Sequence, residues 1–348
     1  MKAPDYGRRR VLRQAMALAG ALPLAAPLRL AHAALPPLTM GLLRNPVAGL
    51  VSLTDHKGWF RDAGVDLQTQ LFVGAGGPKV LQAMGGGSIA LGSVSATPAL
   101  LAIAGRAIPL SIVSIATDPA PLFVLQSAPE IASVTDLAGK RVATTSGTGL
   151  HYFLVRALAK YGMTTADVEF VNLAAGDAQA AFLARRVDAV VPSLAGAAYI
   201  RALRRDTRDL FTRDMFVKPP GSTAPFEDYD VFVAPTSVVT AQKPALRAFL
   251  AAYHGKGVPY LHDPATQADA IAEITRYVNA EQKTPTDAAA MRTQLLQSGF
   301  FDVAAAKAIM GSAQFRAGLE DQVRFLGETR QLAGKIDLDG AIATDLLG

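Results

Sequence analysis

The segment that most constrains this chain runs from Lys140 to Arg156: Lys-Arg-Val-Ala-Thr-Thr-Ser-Gly-Thr-Gly-Leu-His-Tyr-Phe-Leu-Val-Arg. Val142 to Thr144 reads as a short buried strand, Thr145 to Gly149 as a turn of small residues, and the remainder as an amphipathic helix. Apolar residues at 150, 153, 154, 157, 158 and 161 fall on one side with a period near 3.6, and Gly162 is placed to end the helix. A strand that feeds a helix through Thr, Ser and Gly aims backbone N–H groups and the positive helix end at one point. Thr145, Ser146, Thr148, the amides of Gly147 and Gly149, and His151 two positions further on are therefore candidate contacts for a small oxyanion. From this segment alone, an ordinary N-cap on a helix of an α/β domain would look the same. No nucleophile elbow is present, because there is no G-x-S-x-G and no base beside Ser146.

Residues 1–33 read as an export signal rather than as part of the fold. Arg8-Arg9-Arg10 and Arg13 precede a charge-free run from Gln14 to Leu28, and Ala31-His32-Ala33 offers a small-x-small cleavage site. The paired arginines point to the twin-arginine route for folded proteins. As a membrane span the run is too short, and Pro23 and Pro27 interrupt it. This segment holds six of the chain's 34 Lys and Arg and one of its 29 Asp and Glu, so 28 of each remain beyond it. The basic balance of the whole chain is thus a property of the signal, and it argues for neither nucleic acid nor membrane as a partner. The chain has no cysteine, which excludes disulfides, thiolate metal sites, cysteine nucleophiles and a lipid-anchored N-terminus. The expected location is the periplasm, with the protein soluble after cleavage near Ala33.

Beyond residue 33 the pattern alternates. Strands are expected at Leu38–Leu43, Val65–Phe72, Ile89–Gly92, Leu110–Ile115, Val168–Asn172, Asp188–Val191 and Tyr229–Ala234. Helices are expected at Val47–Phe60, Pro78–Met84, Ala99–Ala104 and Ala178–Arg185, the last with Asp177 as its cap, and almost throughout from Ala241 on. Such alternation argues for an α/β fold with mostly parallel sheets. Ser93, Ser95 and Thr97 stand just past an expected strand, and Thr145 and Ser193 at the ends of two others, where open α/β sheets bind ligands. Gly74-Ala-Gly-Gly77 carries Lys79 where a dinucleotide fingerprint needs its third glycine, so that reading is poor. His254 and His262 are eight apart with no acidic partner pattern, which argues against a metal site.

Four stretches carry a likeness to a known family: Lys57-Gly-Trp-Phe-Arg-Asp-Ala-Gly-Val-Asp-Leu67, Gly87-Ser-Ile-Ala-Leu-Gly-Ser-Val-Ser-Ala-Thr-Pro98, Asp136 through Arg156, and Phe182-Leu-Ala-Arg-Arg-Val-Asp-Ala-Val190. With them the chain resembles the periplasmic substrate-binding proteins of ABC importers for sulfonates, nitrate and taurine. The resemblance implies a two-lobed periplasmic binding protein, each lobe a mostly parallel sheet flanked by helices. Lobe 1 would comprise 34–120 and 233–348, lobe 2 would comprise 121–232, and two hinge crossovers would lie near 116–126 and 231–236. It implies a monomer without catalytic residues, metal or cofactor, whose partners are a small sulfonate-like anion and the membrane subunits of an ABC permease. By position, the ligand contacts would be Asn45, Ser93, Ser95 and Thr97 from the first lobe, and Thr145, Ser146, Gly147, Thr148, Gly149, His151 and Ser193 from the second.

One departure stands out. Many members carry a Trp-Asp-Pro-type segment where this chain has Pro192-Ser193-Leu194-Ala195, so an aromatic wall and an acid are missing. Trp59 and Phe60 read as core, and Asp228 and Asp230 as turn caps or, alternatively, as holders of an amine on a zwitterionic ligand. Three other functions stay open on the same fold: a receptor for nitrate, a receptor for a pyrimidine or thiamine precursor, and a sensor partner. The pyrimidine reading would need stacking walls from Trp59, Tyr152 and Phe226. A related branch makes the thiamine pyrimidine with a cysteine-rich motif, and the absence of cysteine speaks against that activity here.

Overall fold

The structure is a computed structural model that describes residues 37–72, 76–105, 108–192, 194–217, 226–280, 286–332 and 334–348. The expected export signal, the loop at 218–225 and Ser193 lie outside the described residues. Residues 35–348 form one compact unit.

The first sheet is built from β1 (Leu38–Leu43), β2 (Leu67–Phe72), β3 (Leu91–Ser95), β4 (Leu110–Thr117) and β10 (Asp230–Pro235), in the order β2-β1-β3-β10-β4. The second contains β5 (Val124–Ser127), β6 (Arg141–Thr144), β7 (Glu169–Asn172), β8 (Ala189–Val190) and β9 (Arg208–Thr212), ordered β7-β6-β8-β5-β9. In the first sheet β1 pairs in parallel with β2 and β3, while β10 is antiparallel to both its neighbours. The second follows the same plan, with β6 parallel to β7 and β8, and β5 antiparallel to β8 and β9. The strands that enter each sheet from the other half, β5 and β10, are thus the ones that break the parallel pattern. Every residue of β4 and of β10 is buried, so neither strand alternates between a core face and a solvent face.

Helices α1 (Pro46–His56), α2 (Trp59–Asp62), α3 (Gly77–Gly85) and α4 (Ala96–Gly105) accompany the first sheet. Helices α5 (Gly149–Lys160), α6 (Ala175–Leu183) and α7 (Leu194–Leu203) accompany the second. The expected single helix 47–60 is two, because Gly58 takes a left-handed φ of 78° and breaks it. Asp177 sits in the first turn of α6 rather than at its cap, which is Ala174, so there it favours the helix by charge alone. The C-terminal third is helical as expected: α8 (Thr236–Ala241), α9 (Lys243–Ala252), α10 (Val258–His262), α11 (Gln267–Ala280), α12 (Ala288–Gln297), α13 (Val303–Met310), α14 (Ala313–Glu328) and α15 (Leu338–Ala341). Between α9 and α10 the residues Tyr253–Gly257 form a π-helical turn that carries His254 inward. There its ring nitrogens lie 2.9 Å from Ser114 Oγ and 2.7 Å from the Phe301 carbonyl. Both histidines that sequence alone could have offered to a metal are accounted for by packing or by their place at the end of α10.

Two crossings join the halves, residues 118–123 from β4 to β5 and 213–229 from β9 to β10. A single apolar cluster bridges them, running from Val94 and Ile112 through Phe123, Phe153, Phe211 and Phe226 to Phe315 and Phe325. Helix α14 packs on α4 from the first half and on α5 from the second. Arg156 of α5 donates through Nε to Asp321 Oδ2 at 2.8 Å, through Nη1 to Glu328 Oε2 at 2.8 Å, and through Nη2 to the Asp321 carbonyl at 3.1 Å. Tyr152 adds its hydroxyl to the same Asp321 oxygen at 2.6 Å. Desolvation alone would push the Asp321 carboxyl up, but Tyr152 and Arg156 outweigh it and hold its pKa below the usual carboxylate range.

The latch yields a direct expectation. Arg156→Ala removes charge-assisted bonds worth about 1.5–3 kcal/mol each and leaves Asp321 to Tyr152 and Arg324. Equilibrium denaturation in urea should show a lower midpoint at unchanged slope, the midpoint shift multiplied by that slope amounting to at least about 1.5–3 kcal/mol. An unchanged midpoint would mean that the latch is replaced by water at no cost.

Candidate functional site

The first-half candidates sit on and beside β3. The strand extends to Ser95, three residues past the expected end, so Ser93 and Ser95 lie within it and on one face rather than in the loop beyond. Ser93 has no exposed surface, and its Oγ has no hydrogen-bond partner among the described residues. Ser95 donates to Asp228, with its Oγ 3.4 Å from Oδ1 and 3.5 Å from Oδ2. Thr97 opens α4 and is wholly buried, its hydroxyl donating to Gln322 Oε1 of α14 at 2.9 Å. Asn45 caps α1 by accepting from the Ala48 amide at 3.2 Å, and its Nδ2 donates to Asp230 Oδ2 at 3.1 Å. Since β3 lies between β1 and β10, that bond reaches across the strand that carries Ser93 and Ser95.

The second-half candidates form the turn between β6 and α5. Here the sequence builds the turn largely out of its own polar groups. The Thr145 hydroxyl donates to the Leu173 carbonyl at 2.8 Å, and that of Thr148 to the Thr145 carbonyl at 2.7 Å. The Ser146 amide donates to Asn172 Oδ1 at 2.9 Å, and the Gly147 amide faces His151 Nδ1 at 3.4 Å. Gly147 adopts a φ of 70°, which glycine tolerates without strain. What stays uncommitted among the described residues is the Ser146 hydroxyl and the amides of Gly149 and Leu150, the first two positions of α5, whose N–H groups have no intrahelical acceptor. His151 is 3% exposed, lies between Phe170 and Phe325 at ring distances of 4.7 and 5.1 Å, and is pushed down to about 4 by burial. It is therefore neutral at physiological pH, and its Nδ1 props the turn rather than offering a charge.

The two sets meet. A methyl group added at Gly149 would stand 2.0 Å from Asp228 Oδ2 and 3.0 Å from Ser95 Oγ, so only a glycine lets the start of α5 approach this carboxylate. A methyl at Gly147 would stand 2.9 Å from Gln331 Oε1 and 3.3 Å from Leu101 Cδ1, so the turn also faces α4 and the segment after α14. Ser95, Asn45 and the start of α5 are thus gathered around Asp228 and Asp230, whereas Ser93 stands opposite Phe232 on the ladder. Thr97 is drawn instead into the bond with Gln322.

The electrostatics of this junction were not legible from motif positions. Asp118, Glu227, Asp228 and Asp230 are all buried on or beside the two crossings. Arg213 answers two of them, with Nη2 at 3.4 Å from Asp118 Oδ2 and 3.7 Å from Glu227 Oε1. Desolvation lifts the Asp118 carboxyl to about 6 and Asp230 to about 7, the latter against the pull of Asn45. Asp228 is raised further, by burial first and then by the charges of Asp230 and Asp118. A signal was present in the sequence, since a Glu-Asp-Tyr-Asp run entering an apolar strand is an unusual thing to bury. The aromatic residues that a heterocycle would need are taken up elsewhere. Tyr152 and Phe226 pack on each other at 4.8 Å in the apolar cluster, and Trp59 packs edge-on against Tyr260 at 5.3 Å.

Comparison with known proteins gives a consistent picture. The family model described as NMT1/THI5 like matches residues 45–267. A protein of Escherichia coli (strain K12), provisionally named an aliphatic sulfonates-binding protein, is 36% identical over 118 residues, 32% of this chain and 36% of that protein. A protein of Brucella abortus (strain 2308), provisionally named a binding protein, is 27% identical over 140 residues, 40% of this chain and 42% of its own length. The matched stretches thus span well under half of these relatives. Among solved structures, the alkanesulfonate-binding protein SsuA of Xanthomonas axonopodis pv. citri bound to MOPS superposes with a TM-score of 0.70 at 22% identity, covering 89% of this chain and 99% of that one. The nitrate-binding protein NrtA of Synechocystis PCC 6803 superposes at 0.67 and 13% identity, covering 90% and 88%. These likenesses establish the two-lobed periplasmic binding protein fold.

Two outcomes follow from the site's geometry and charge. A carboxyl raised above its unfolded value binds its proton in the native state first, so its cost to stability appears as pH rises from about 4 and is complete above about 7 for Asp230. Asp230→Asn should therefore melt close to wild type near pH 4 and several degrees above it at pH 8. Taking the difference at each pH removes the opposite contributions of His151 and His254, both depressed by burial. A pH-independent difference would refute the burial cost. Gly149→Ala should push α5 away from Asp228, which small-angle scattering would register as a larger radius of gyration and calorimetry as a lower melting temperature.

Proposed function

The chain belongs to the NMT1/THI5-like family, and from that premise we propose that it is the solute-binding protein of an ABC importer, a receptor and not an enzyme. It traps a small organic anion, an organosulfonate, between lobe 1 (34–120 and 233–348) and lobe 2 (121–232), and delivers it to the membrane subunits of the permease. It works as a monomer in the periplasm, after export by the twin-arginine route and cleavage near Ala33. Among the described residues no helix is long and apolar enough to cross a membrane.

The observation that carries this reading is the meeting of the two halves at one point, where the first turn of α5 faces β3 at Gly149, Ser95 and Asp228. The oxyanion would be held by the Ser146 hydroxyl and the amides of Gly149 and Leu150, at the positive end of a helix of 12 residues. Each bond to a charged acceptor adds about 1.5–3 kcal/mol, and three together reach the range of a micromolar ligand without any arginine or lysine. Thr145, Gly147, Thr148 and His151 would shape the turn behind these donors. Ser193 would complete the edge after β8. Binding would require the halves to part and close again about the crossings, with the Arg156–Asp321 latch re-formed on closure. Sulfonates are favoured over nitrate because a relative 36% identical over 118 residues bears the sulfonate name, whereas the nitrate-binding neighbour is 13% identical.

Thermal unfolding of residues 34–348 against alkyl and aryl sulfonates, sulfate esters, nitrate and dicarboxylates tests this. A ligand present at about 100 times its dissociation constant should add about 2.7 kcal/mol of stability. The shift should appear with sulfonates and fall by at least half in Ser146→Ala. A shift with nitrate or a dicarboxylate alone would reassign the solute, and a full shift in Ser146→Ala would remove the oxyanion from the start of α5.

A further inference from the structure

The donors assigned to the solute's oxyanion and the most deeply buried acid of the junction share one small space. The Gly149 amide belongs to the residue at which an added methyl would stand 2.0 Å from Asp228 Oδ2 and 3.0 Å from Ser95 Oγ. An oxyanion held by that amide therefore lies against Asp228. This carboxyl has no exposed surface, and the bonds it accepts come from Ser95 Oγ, at 3.4 and 3.5 Å, and from the Tyr229 amide. Both partners are neutral. Among the described residues the neighbouring guanidiniums are committed to other acids, Arg213 to Asp118 and Glu227 and Arg156 to Asp321 and Glu328. Two anions in contact repel strongly where water is excluded, so one of the pair has to be neutral. A sulfonate keeps its charge throughout the physiological range, which leaves the carboxyl as the neutral member. The positive end of α5 attracts a carboxylate, but that attraction is small beside the cost of burying an unpaired charge.

We propose that Asp228, in its protonated form, is a hydrogen-bond donor of the solute site, and that the protein captures its solute together with a proton. The inference rests on the reading of the start of α5 as the oxyanion site and deepens it. The proton comes from bulk water, stays on one carboxyl oxygen of Asp228, and is given back when the solute leaves. No covalent bond to the solute forms or breaks. The O–H joins the Gly149 and Leu150 amides as a donor to the oxyanion, while the other oxygen still accepts from Ser95 and the Tyr229 amide. The surroundings favour this form, because burial first, and then Asp230 and Asp118, raise the Asp228 carboxyl. Asp118 and Asp230 titrate near it, lifted by desolvation to about 6 and about 7, and Glu227 is bonded by Tyr229 and Gln314. The remaining neighbours hold their state across neutral pH: burial pushes Tyr152 and Tyr229 up, so they keep their protons, and pushes His151 down to about 4, so it stays uncharged. Ionisation of Asp228 in the free protein competes with capture. Affinity is therefore greatest where the carboxyl carries its proton and falls as pH rises past the point at which it is lost.

Propanesulfonate has no group that titrates in this range, so any pH dependence of its binding belongs to the protein. Isothermal titration on residues 34–348 between about pH 5 and about pH 9 should show affinity falling towards the alkaline end by up to about tenfold per pH unit. Repeating one pH in two buffers of different ionisation enthalpy should show up to about one proton taken up per solute bound. Asp228→Asn keeps an N–H donor and cannot ionise, so it should outbind wild type at the alkaline end and lose most of the slope. Asp228→Ala should also lose the slope, yet bind more weakly than Asp228→Asn at every pH. Should neither variant fold, the proton count on wild type decides, together with Asp230→Asn, where removal of a like charge should start the fall at lower pH. Constant affinity with no proton taken up overturns the coupling and leaves the sulfonate reading intact. A full slope surviving in Asp228→Asn overturns the assignment to this residue. Absence of propanesulfonate binding at every pH overturns the sulfonate reading and the inference with it.

Discussion

The start of α5 comes within contact of a fully buried carboxylate, and the rest of the junction is arranged around that approach. Gly149 is the residue that makes it possible, since a single added carbon would overlap Asp228 Oδ2. A carboxylate near the positive end of a helix is favourably placed, yet the two uncommitted amides of that helix are not spent on it. Asp228 takes its bonds from Ser95 and from the Tyr229 backbone instead. The helix end is thereby kept for something else, while the carboxylate holds the other side of the same small space. That division follows from strand extension: β3 runs to Ser95, which brings a hydroxyl beneath Asp228, and β10 begins only at Asp230, which leaves Asp228 in the crossing.

What holds the halves against each other is distributed unevenly. The apolar cluster through Phe226 and Phe325 supplies area, and area is non-directional, so it does not fix the angle at which α5 meets α4. The polar contacts fix it. Arg156 and Tyr152 both address Asp321 on α14, and Thr97 at the start of α4 addresses Gln322, the next residue on that helix. One turn of α14 therefore reads the positions of α4 and α5 together. This is why the C-terminal helices, remote in sequence from every candidate contact, bear on the site.

Much of the fold was legible because its strands and helices obey their own periods. β1, β4 and β7 lie within two residues of where the pattern puts them. The misplacements have local causes. Gly58 interrupts a helix whose apolar spacing carries through it, and Ser93 and Ser95 prolong a strand that hydroxyl residues seemed to have closed. Short polar residues favour loops when exposed, but β3 is flanked on both sides and its backbone bonds override that preference. The turn at 145–149 was found where expected, yet the use of its hydroxyls was not readable: Thr145 and Thr148 find carbonyls within the turn and in the neighbouring β7 loop, a pairing that depends on distances no one-dimensional pattern contains. His151 likewise owes its neutral state to Phe170 and Phe325, which arrive from elsewhere in the chain.

The acidic residues pose the sharper question of why a fold would bury four carboxylates for one arginine. Packing alone gives no reason, since replacing a buried ionisable group with an apolar one of similar size is often neutral or stabilising. Asp118 has a structural use, because it accepts from the Ala120 amide and shapes the first crossing, and Glu227 is tied by Tyr229 and Gln314 on the second. Asp228 and Asp230 have neither role: the bonds they accept are long or come from a single amide, and their desolvation is nearly complete. Groups that weaken the free protein and sit where two lobes converge are what differential binding predicts, because a site left unsatisfied when empty stabilises most when filled.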